Sequence, residues 1–351
     1  MDAIQELTLE RSTYDAQYGR SGGGQIVVAT KSGTSQFHGD AYEFVRNNAF
    51  NANDFFANYK GLPRAIERYN DFGFTLGGPL FIPKLYPKSE SKTFFFWSEE
   101  WRKSHQPGVD VATVPTSAEL NGTFAGKTLN PASAPAGCIT NTGGTGQVNP
   151  ACFSNNANVY IKNVYSKFPA DVNGQSIANV SSLNNYRQDI VRLDQNISDK
   201  VHAFARYMQD VVPTTEPGGL FAGSPLPGIS STATNAPGRN LVANVSWTIS
   251  PTIVNETAFN YSWGAINSNP TGVLNSPAFV GALSGGLPYT DPYGRVQGVS
   301  ITGFSGIAIP AAPYFERNID KTVYDNFSKV WGNHTIRLGA TASWMVKTEN
   351  E

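Results

Sequence analysis

The sequence predicts an all-β fold, with about nine long antiparallel strands that run up and down as part of a transmembrane barrel. Three observations lead to this fold class. Apolar and polar residues alternate with a period of two in several segments. These segments are about 9 to 12 residues long, which exceeds the usual soluble strand and matches a tilted crossing of a bilayer. Short and long connections also alternate along the chain, as in barrels with short turns on one membrane side and long loops on the other.

The alternation is clearest in the segment 240–250, where Leu241, Val245 and Trp247 fall on one face and Asn240 and Asn244 on the other. Segments 253–263 and 334–344 repeat this pattern. The other six predicted strands are less regular. They are 37–47, 70–78, 92–102, 186–196, 200–210 and 320–331.

The connections between these strands differ in length in a regular way. Tight turns are predicted near 197–199, at Pro251 and at 332–333, and a modest proline-rich turn at 81–91. The four long excursions are 48–69, 103–185, 211–239 and 265–319. Tryptophans lie close to both kinds of connection, which is typical of the two aromatic girdles of a membrane barrel.

Composition limits the function. Charged residues make up only 15% of the chain and the formal net charge is −1, which argues against a nucleic-acid partner. The four histidines share no ligand spacing, so neither a metal nor another cofactor is expected. Residues 1–12 lack the basic start and apolar stretch of a secretion signal, so the protein is either cytoplasmic or the sequence lacks its beginning. The strand pattern of the rest of the chain favours the second, and we expect the natural chain to begin further upstream. Cys138 and Cys152 bracket a polar loop and are predicted to form a disulfide, with two unpaired thiols as the alternative.

One short pattern raises the possibility of an enzyme. Residues 19–23 read G-x-S-x-G, the pattern of a hydrolase nucleophile elbow centred on Ser21. That elbow requires a buried strand before the serine and a helix after it. Here the approach is polar and the exit, QIVVATKSG, reads as a strand. We therefore predict no catalytic residue and no enzymatic activity.

The segment YDAQYGRSGGGQIVVATKSGTSQFHGDAYEFVRNNAFNANDFF resembles the junction between plug and barrel in TonB-dependent outer-membrane receptors of the Oar-like branch. The segments DFGFTLGGPLFIPK, KTFFFWSEEWRK and VATVPT resemble the first barrel strands of the same branch. The resemblance covers roughly residues 14–115, and the later hairpin NNYRQDIVRLDQNISDKVHAFARY is also similar. It implies that the chain is a fragment of a receptor with a larger barrel.

The resemblance implies two regions. Residues 1–35 would be the end of the plug domain, and residues 36–351 the first part of the barrel with its long extracellular loops. Gly22, Gly23 and Gly24 would allow a tight backbone turn before the last plug strand, because glycine adopts conformations that other residues avoid.

The same resemblance implies a contact between plug and barrel. Arg20 would pair with Glu99 or Glu100, of which only one can face the barrel interior because adjacent strand residues point to opposite faces. The alternative is that Arg20 is an ordinary solvated arginine.

The function implied is import across the bacterial outer membrane of a scarce or bulky substrate, such as a sugar, a peptide or a metal chelate. Its partners would be outer-membrane lipid, an extracellular small-molecule, oligosaccharide or peptide substrate, and a TonB-type energy-coupling protein. The first long loop is the candidate for ligand contact because it mixes aromatic, amide and charged side chains. Its candidate residues are Asn53, Phe55, Phe56, Tyr59 and Arg64. The alternative is a secreted β-rich adhesin or carbohydrate-binding protein.

Overall fold

The structure is a computed structural model of the 351-residue chain. It describes residues 2–11, 23–59, 61–81, 91–221, 223–283, 293, 295–309 and 311–350. Strands dominate this part of the chain, and the helices are short. Within it, no helix is both long and apolar enough to cross a membrane.

The strands are β1 Ile4–Glu10, β2 Gln25–Thr30, β3 His38–Asn47, β4 Arg68–Pro79, β5 Thr93–Thr113, β6 Thr123–Ala125, β7 Ile139–Thr142, β8 Thr145–Val148, β9 Gln175–Ser198, β10 Val201–Val211, β11 Pro213–Glu216, β12 Thr232–Asn235, β13 Gly238–Ser250, β14 Ile253–Pro270, β15 Tyr314–Trp331 and β16 His334–Glu349. The α-helices are α1 Phe55–Tyr59, α2 Ser117–Leu120, α3 Asn155–Asn163 and α4 Pro277–Ala282. Single 3₁₀ turns lie at Asn48–Phe50, Pro131–Ser133, Pro150–Cys152, Tyr165–Lys167 and Val273–Asn275.

Nine long strands form one antiparallel sheet. Its order is β3-β4-β5-β9-β10-β13-β14-β15-β16, so each long strand pairs with the next long strand along the chain. Each of the nine predicted segments lies largely within one of these strands. The all-β, up-and-down antiparallel fold class is therefore confirmed. Among the described residues, β3 and β16 are the two edges of the sheet.

The short turns also lie near their predicted places. The β9–β10, β13–β14 and β15–β16 hairpins each turn through two residues, the last of them through Gly332 and Asn333. Gly332 has a φ of 57°, a left-handed conformation that glycine adopts at no steric cost.

The long excursions are more ordered than predicted. The β5–β9 ladder continues to the pair Thr113–Gln175, so the predicted loop 103–185 is paired strand at both of its ends. Likewise β14 runs to Pro270 and β15 begins at Tyr314, inside the predicted loop 265–319. The period-two pattern fades there because both faces of these extensions carry mixed residues. Backbone pairing does not need that pattern and continues without it.

The predicted loop 211–239 contains the short hairpin β11–β12. This hairpin lies between the upper part of β9 and the upper part of β14, and pairs with both. It thereby continues the sheet above the ends of β10 and β13, where those two strands stop.

The largest buried apolar cluster lies within the long excursions, away from the nine-strand core of the sheet. Residues of 103–185, 211–239 and 265–319 pack together in it, and we call it the loop core. Its buried members are Ala112, Val114, Val159, Val164, Tyr165, Leu226, Ile229, Leu274, Phe279, Val296 and Ile307. Three of the four long excursions therefore form one packed unit.

Candidate functional site

The sheet has one apolar face and one polar face, set by the alternation of side chains along each strand. Ladder pairing places apolar and aromatic residues of eight strands on the apolar face, and most of their side chains are exposed. Exposed members of this face include Leu76, Trp97, Val191, Tyr207, Leu241, Val245, Trp247, Phe259, Val323, Leu338 and Trp344. An exposed apolar band that crosses a sheet in this way is typical of the lipid-facing surface of a membrane barrel.

The polar face is contacted by the β1–β2 hairpin. Ala3 packs in a small buried cluster with Phe96 of β5 and Ile190 of β9. At the same end of the hairpin, beside the Ile4–Thr30 pair, Arg192 Nη1 donates to Thr30 O at 3.2 Å and to Thr30 Oγ1 at 3.3 Å. This end of the segment that precedes the first long strand therefore contacts the inner wall.

Arg192 is held in position by two neighbours on the same face. Its Nη2 lies 2.7 Å from Asp194 Oδ1, and its guanidinium lies 4.3 Å from the ring centre of Phe204. Arginine and aspartate at positions i and i+2 share one face of a strand, so the RLD sequence carried a signal for this pair. That signal alone does not identify the contact with the hairpin, because nothing in the sequence shows that Thr30 lies opposite.

A second polar cluster on the inner wall surrounds Glu100, which is 5% exposed. Arg102 Nη2 donates to Glu100 Oε1 at 2.7 Å, and Tyr42 OH donates to Oε2 at 3.3 Å. Arg102 Nε also donates to Asp71 Oδ2 at 3.3 Å, and Tyr69 OH donates to the same oxygen at 2.8 Å. Buried carboxylates require such partners, and this cluster supplies them from β3, β4 and β5.

Glu99 and Glu100 lie on opposite faces. Glu99 lies on the apolar side, where Arg187 Nη2 is 3.4 Å from its Oε1. Of the two predicted partners for Arg20, only Glu100 therefore faces the β1–β2 hairpin. Arg20 itself lies outside the described residues, so its pairing stays a prediction.

The predicted glycine turn is only partly described. Gly22 lies outside the described residues, and Gly23 and Gly24 precede β2. Gly24 has a φ of 145°, and a Cβ there would lie 2.8 Å from Glu10 O. The close approach of the β1 backbone therefore requires a glycine at this position.

The predicted ligand residues of the first long loop divide into two groups. Arg64 donates to Asn48 O and, at 2.6 Å, to Asn51 O, while Asn53 Nδ2 donates to Leu62 O at 3.0 Å. These two polar side chains stabilise the loop itself. Phe55 and Tyr59 are 73% and 81% exposed, and their contact with a ligand stays a prediction. The side chain of Phe56 lies outside the described part of the molecule.

The loop core is stabilised by further contacts that sequence reasoning missed. Tyr160 packs edge-on against Phe279, with 5.2 Å between ring centres, and joins two excursions about 120 residues apart. Burial raises the pKa of the Tyr160 and Tyr165 phenols. Cys138 and Cys152 form a disulfide beside the small β6-β8-β7 sheet. Among the residues that the structure describes, no group of acidic, histidine or cysteine side chains is arranged to hold a metal ion.

Comparison with known families decides the assignment. The model of the outer membrane beta barrel domain matches residues 29–351. The chain belongs to this family. The protein is therefore located in the bacterial outer membrane, and its polar face is the interior of an outer-membrane barrel. This location argues against the secreted alternative.

Two solved structures are similar to the chain, and the first of them agrees with it in fold. The outer membrane transporter YddB from Escherichia coli has 9% sequence identity and a TM-score of 0.51, and the similarity covers 99% of this chain and 35% of that one. The siderophore receptor PirA from Acinetobacter baumannii has 13% identity and a TM-score of 0.38, with 99% and 45% covered. No curated protein sequence matches the chain. The chain thus spans less than half the length of either structure.

Proposed function

We propose that this chain is the end of the plug and the first nine barrel strands of a TonB-dependent receptor of the Oar-like branch. Residues 1–35 belong to the plug and residues 36–351 to the barrel. The receptor imports a scarce or bulky substrate, and it makes and breaks no covalent bond. The similarity in fold to an outer membrane transporter is consistent with this function.

The contact of the β1–β2 hairpin with the inner wall is the observation that best supports the proposal. A hairpin that precedes the first barrel strand and lies inside the barrel blocks passage until it moves. The contact through Arg192 and Thr30 is polar, and the apolar part is limited to a few residues around Ala3. A small, polar contact costs little free energy to break. The hairpin is therefore suited to leave the wall when it is pulled, and so to open the barrel in a controlled way.

The proposal requires the hairpin to be displaced by energy from the inner membrane. Arg20 and Glu100 form a further contact of the plug with the wall, while Gly22, Gly23 and Gly24 form the turn that leads into β2. A TonB-type energy-coupling protein supplies the pull from the periplasm. Substrate first meets the exposed Phe55 and Tyr59 of the first long loop and the surface of the loop core.

The test is solute depletion by cells that express the full-length protein containing this chain. Mass spectrometry of the medium should show that these cells remove at least one solute faster than cells without the gene. A protonophore, or deletion of the energy-coupling gene, should abolish the difference. Depletion that continues without energy would instead identify an open channel and would refute the proposal.

A further inference from the structure

A cavity of about 310 Å³ opens on the polar face, at the loop-side ends of β10, β13, β14 and β15. Across its width, ladder pairing joins Asp210 to Gly238, Gly238 to Gly264, and Gly264 to Asn318. Neighbouring strands lie about 4.8 Å apart, so the two outer residues are separated by roughly 14 Å. Only glycine backbone lies between them. We call this cavity the glycine hollow.

The two glycines at its floor, Gly238 and Gly264, differ in whether their neighbours leave room for a side chain. A Cβ on Gly238 would lie 2.5 Å from Asp210 Oδ1, so the carboxylate excludes a side chain there. A Cβ on Gly264 would meet its nearest neighbour, Pro237 O, only at 4.0 Å. Packing therefore does not require glycine at 264, and the effect of this residue is to keep the hollow open.

Several donors beside the hollow bond to one another, whereas Arg206 Nε is buried without a hydrogen-bond partner. Asn240 Nδ2 donates to Asn260 Oδ1 at 2.7 Å and to Ser262 Oγ at 2.9 Å. Arg206 Nη2 donates to Asn240 Oδ1 at 2.9 Å. This network fixes the Asn240 amide and directs the nearby guanidinium toward it, and so sets a rigid wall for the hollow.

Arg239 also lines the hollow, with its guanidinium 5.2 Å from the ring centre of Trp263. The remaining polar groups are mainly acceptors. Asn318 Nδ2 donates to Glu316, which leaves its carbonyl oxygen as the group available to a ligand. Asp320 Oδ1 accepts from the Thr322 hydroxyl at 2.7 Å, and a carboxylate retains further acceptor positions. No ion pair within the described ranges neutralises Asp210 or Asp320.

We propose that the glycine hollow binds two cationic groups of a basic peptide, one beside Asp210 and the other beside Asn318 and Asp320. Because these two sides lie roughly 14 Å apart, each meets a different guanidinium or ammonium group, and charge-assisted hydrogen bonds of this kind are the strong ones. The same carboxylates repel anionic ligands, which gives selectivity. The inference rests on the proposed function in one respect: the hollow specifies the substrate class of the proposed importer.

The test is calorimetric titration of the detergent-solubilised full-length protein with the dipeptide Arg-Arg-amide. Citrulline has nearly the same shape as arginine and no charge, so Cit-Cit-amide is the matched ligand control. The variants are Asp210→Asn, Asp320→Asn and Gly264→Val, the last of which fills the hollow and leaves every charge in place. Asp199→Asn, in the β9–β10 turn at the opposite end of the sheet, is the control variant.

We expect Arg-Arg-amide to bind saturably, and the citrulline peptide to bind at least about tenfold more weakly. Each of the three hollow variants should weaken binding by about tenfold or more, and Asp199→Asn should not change it. If an aspartate variant does not fold, the binding measured for Gly264→Val still shows whether the peptide occupies the hollow. Equal binding of the two peptides, wild-type binding by Gly264→Val, or no saturable binding by the folded protein would each overturn the inference.

Peptide binding in detergent needs no energy coupling. The binding test and the depletion test are therefore independent, and either can fail while the other succeeds. If the protein binds the peptide but depletes solutes without energy, the proposed energy-coupled import is refuted and the glycine hollow is still supported as a cation site. If depletion depends on energy but the protein does not bind the peptide, the proposed import is supported and the glycine hollow is refuted as its substrate site.

Discussion

Arg192 should control how easily the β1–β2 hairpin leaves the inner wall. Its guanidinium is the polar link between the wall and Thr30, and its side chain is only 17% exposed. The substitution Arg192→Ala removes this link and leaves the hairpin ladder itself intact. The hairpin should then open locally more often, while the nine-strand sheet stays folded.

The geometry sets the size of the effect. A single nitrogen, Nη1, serves both Thr30 oxygens, and its distances of 3.2 and 3.3 Å are long for a charged donor. We therefore count one hydrogen bond to a charged group, at the low end of its range, about 1.5 kcal/mol. Since about 1.4 kcal/mol is a factor of ten in an equilibrium constant, opening should become roughly tenfold more frequent.

The assay is hydrogen exchange of the full-length protein in detergent, read from peptides that cover β2. Exchange there should quicken about tenfold in Arg192→Ala, because exchange follows the free energy of local opening. Arg187→Ala is the matched control, since Arg187 lies on the same strand and pairs with Glu99 on the outer face. Equal exchange in wild type and Arg192→Ala, or the same acceleration in Arg187→Ala, would refute the reasoning.

Three further substitutions test the other regions. Cys138→Ser removes the constraint on a loop of 14-residue separation, worth about 3 kcal/mol, and should make the segment around β6–β8 sensitive to protease. Leu226→Ala should destabilise the loop core by about 2–5 kcal/mol and expose several excursions to protease together. Val245→Arg on the lipid face should cost about 2–4 kcal/mol and lower the folded fraction in membranes, measured by the gel mobility of unheated samples.

The last two of these each have a matched control. Val172→Ala changes a fully exposed side chain and should leave protease sensitivity at the wild-type level, in contrast to Leu226→Ala. Ser246→Arg places the same charge one residue away on the interior face, and should fold much better than Val245→Arg. Cleavage confined to a single excursion in Leu226→Ala would contradict the shared core, and equal folding of the two arginine variants would contradict the assigned faces.

The sequence by itself determined the nine strands and their order. A strand reveals itself through a period of two, which is a local property of adjacent side chains, as in Leu241 and Val245 against Asn240 and Asn244. The turns at 251–252 and 332–333 are equally local. Because the strands are joined by alternating short and long connections, the up-and-down topology followed without any knowledge of distant contacts.

Only the tertiary structure decided which groups meet. Glu99 and Glu100 had to point in opposite directions, yet their surroundings depend on Arg187, Arg102 and Tyr42, and the last of these is 58 residues away. Arg64 likewise donates to backbone carbonyl oxygens that its place in the sequence does not reveal, and its contact with a ligand stays a prediction. Charge and polarity show that a side chain needs partners, but do not show which partners it finds.

The loop core shows the same limit on a larger scale. Its members come from segments that lack any periodic pattern, such as the surroundings of Val114, Leu226 and Leu274, and each segment alone has too few apolar residues to pack. Burial becomes possible only when the sheet brings the three excursions to one end. Local patterns therefore specified the strands, whereas contacts between distant parts of the chain created both the loop core and the glycine hollow.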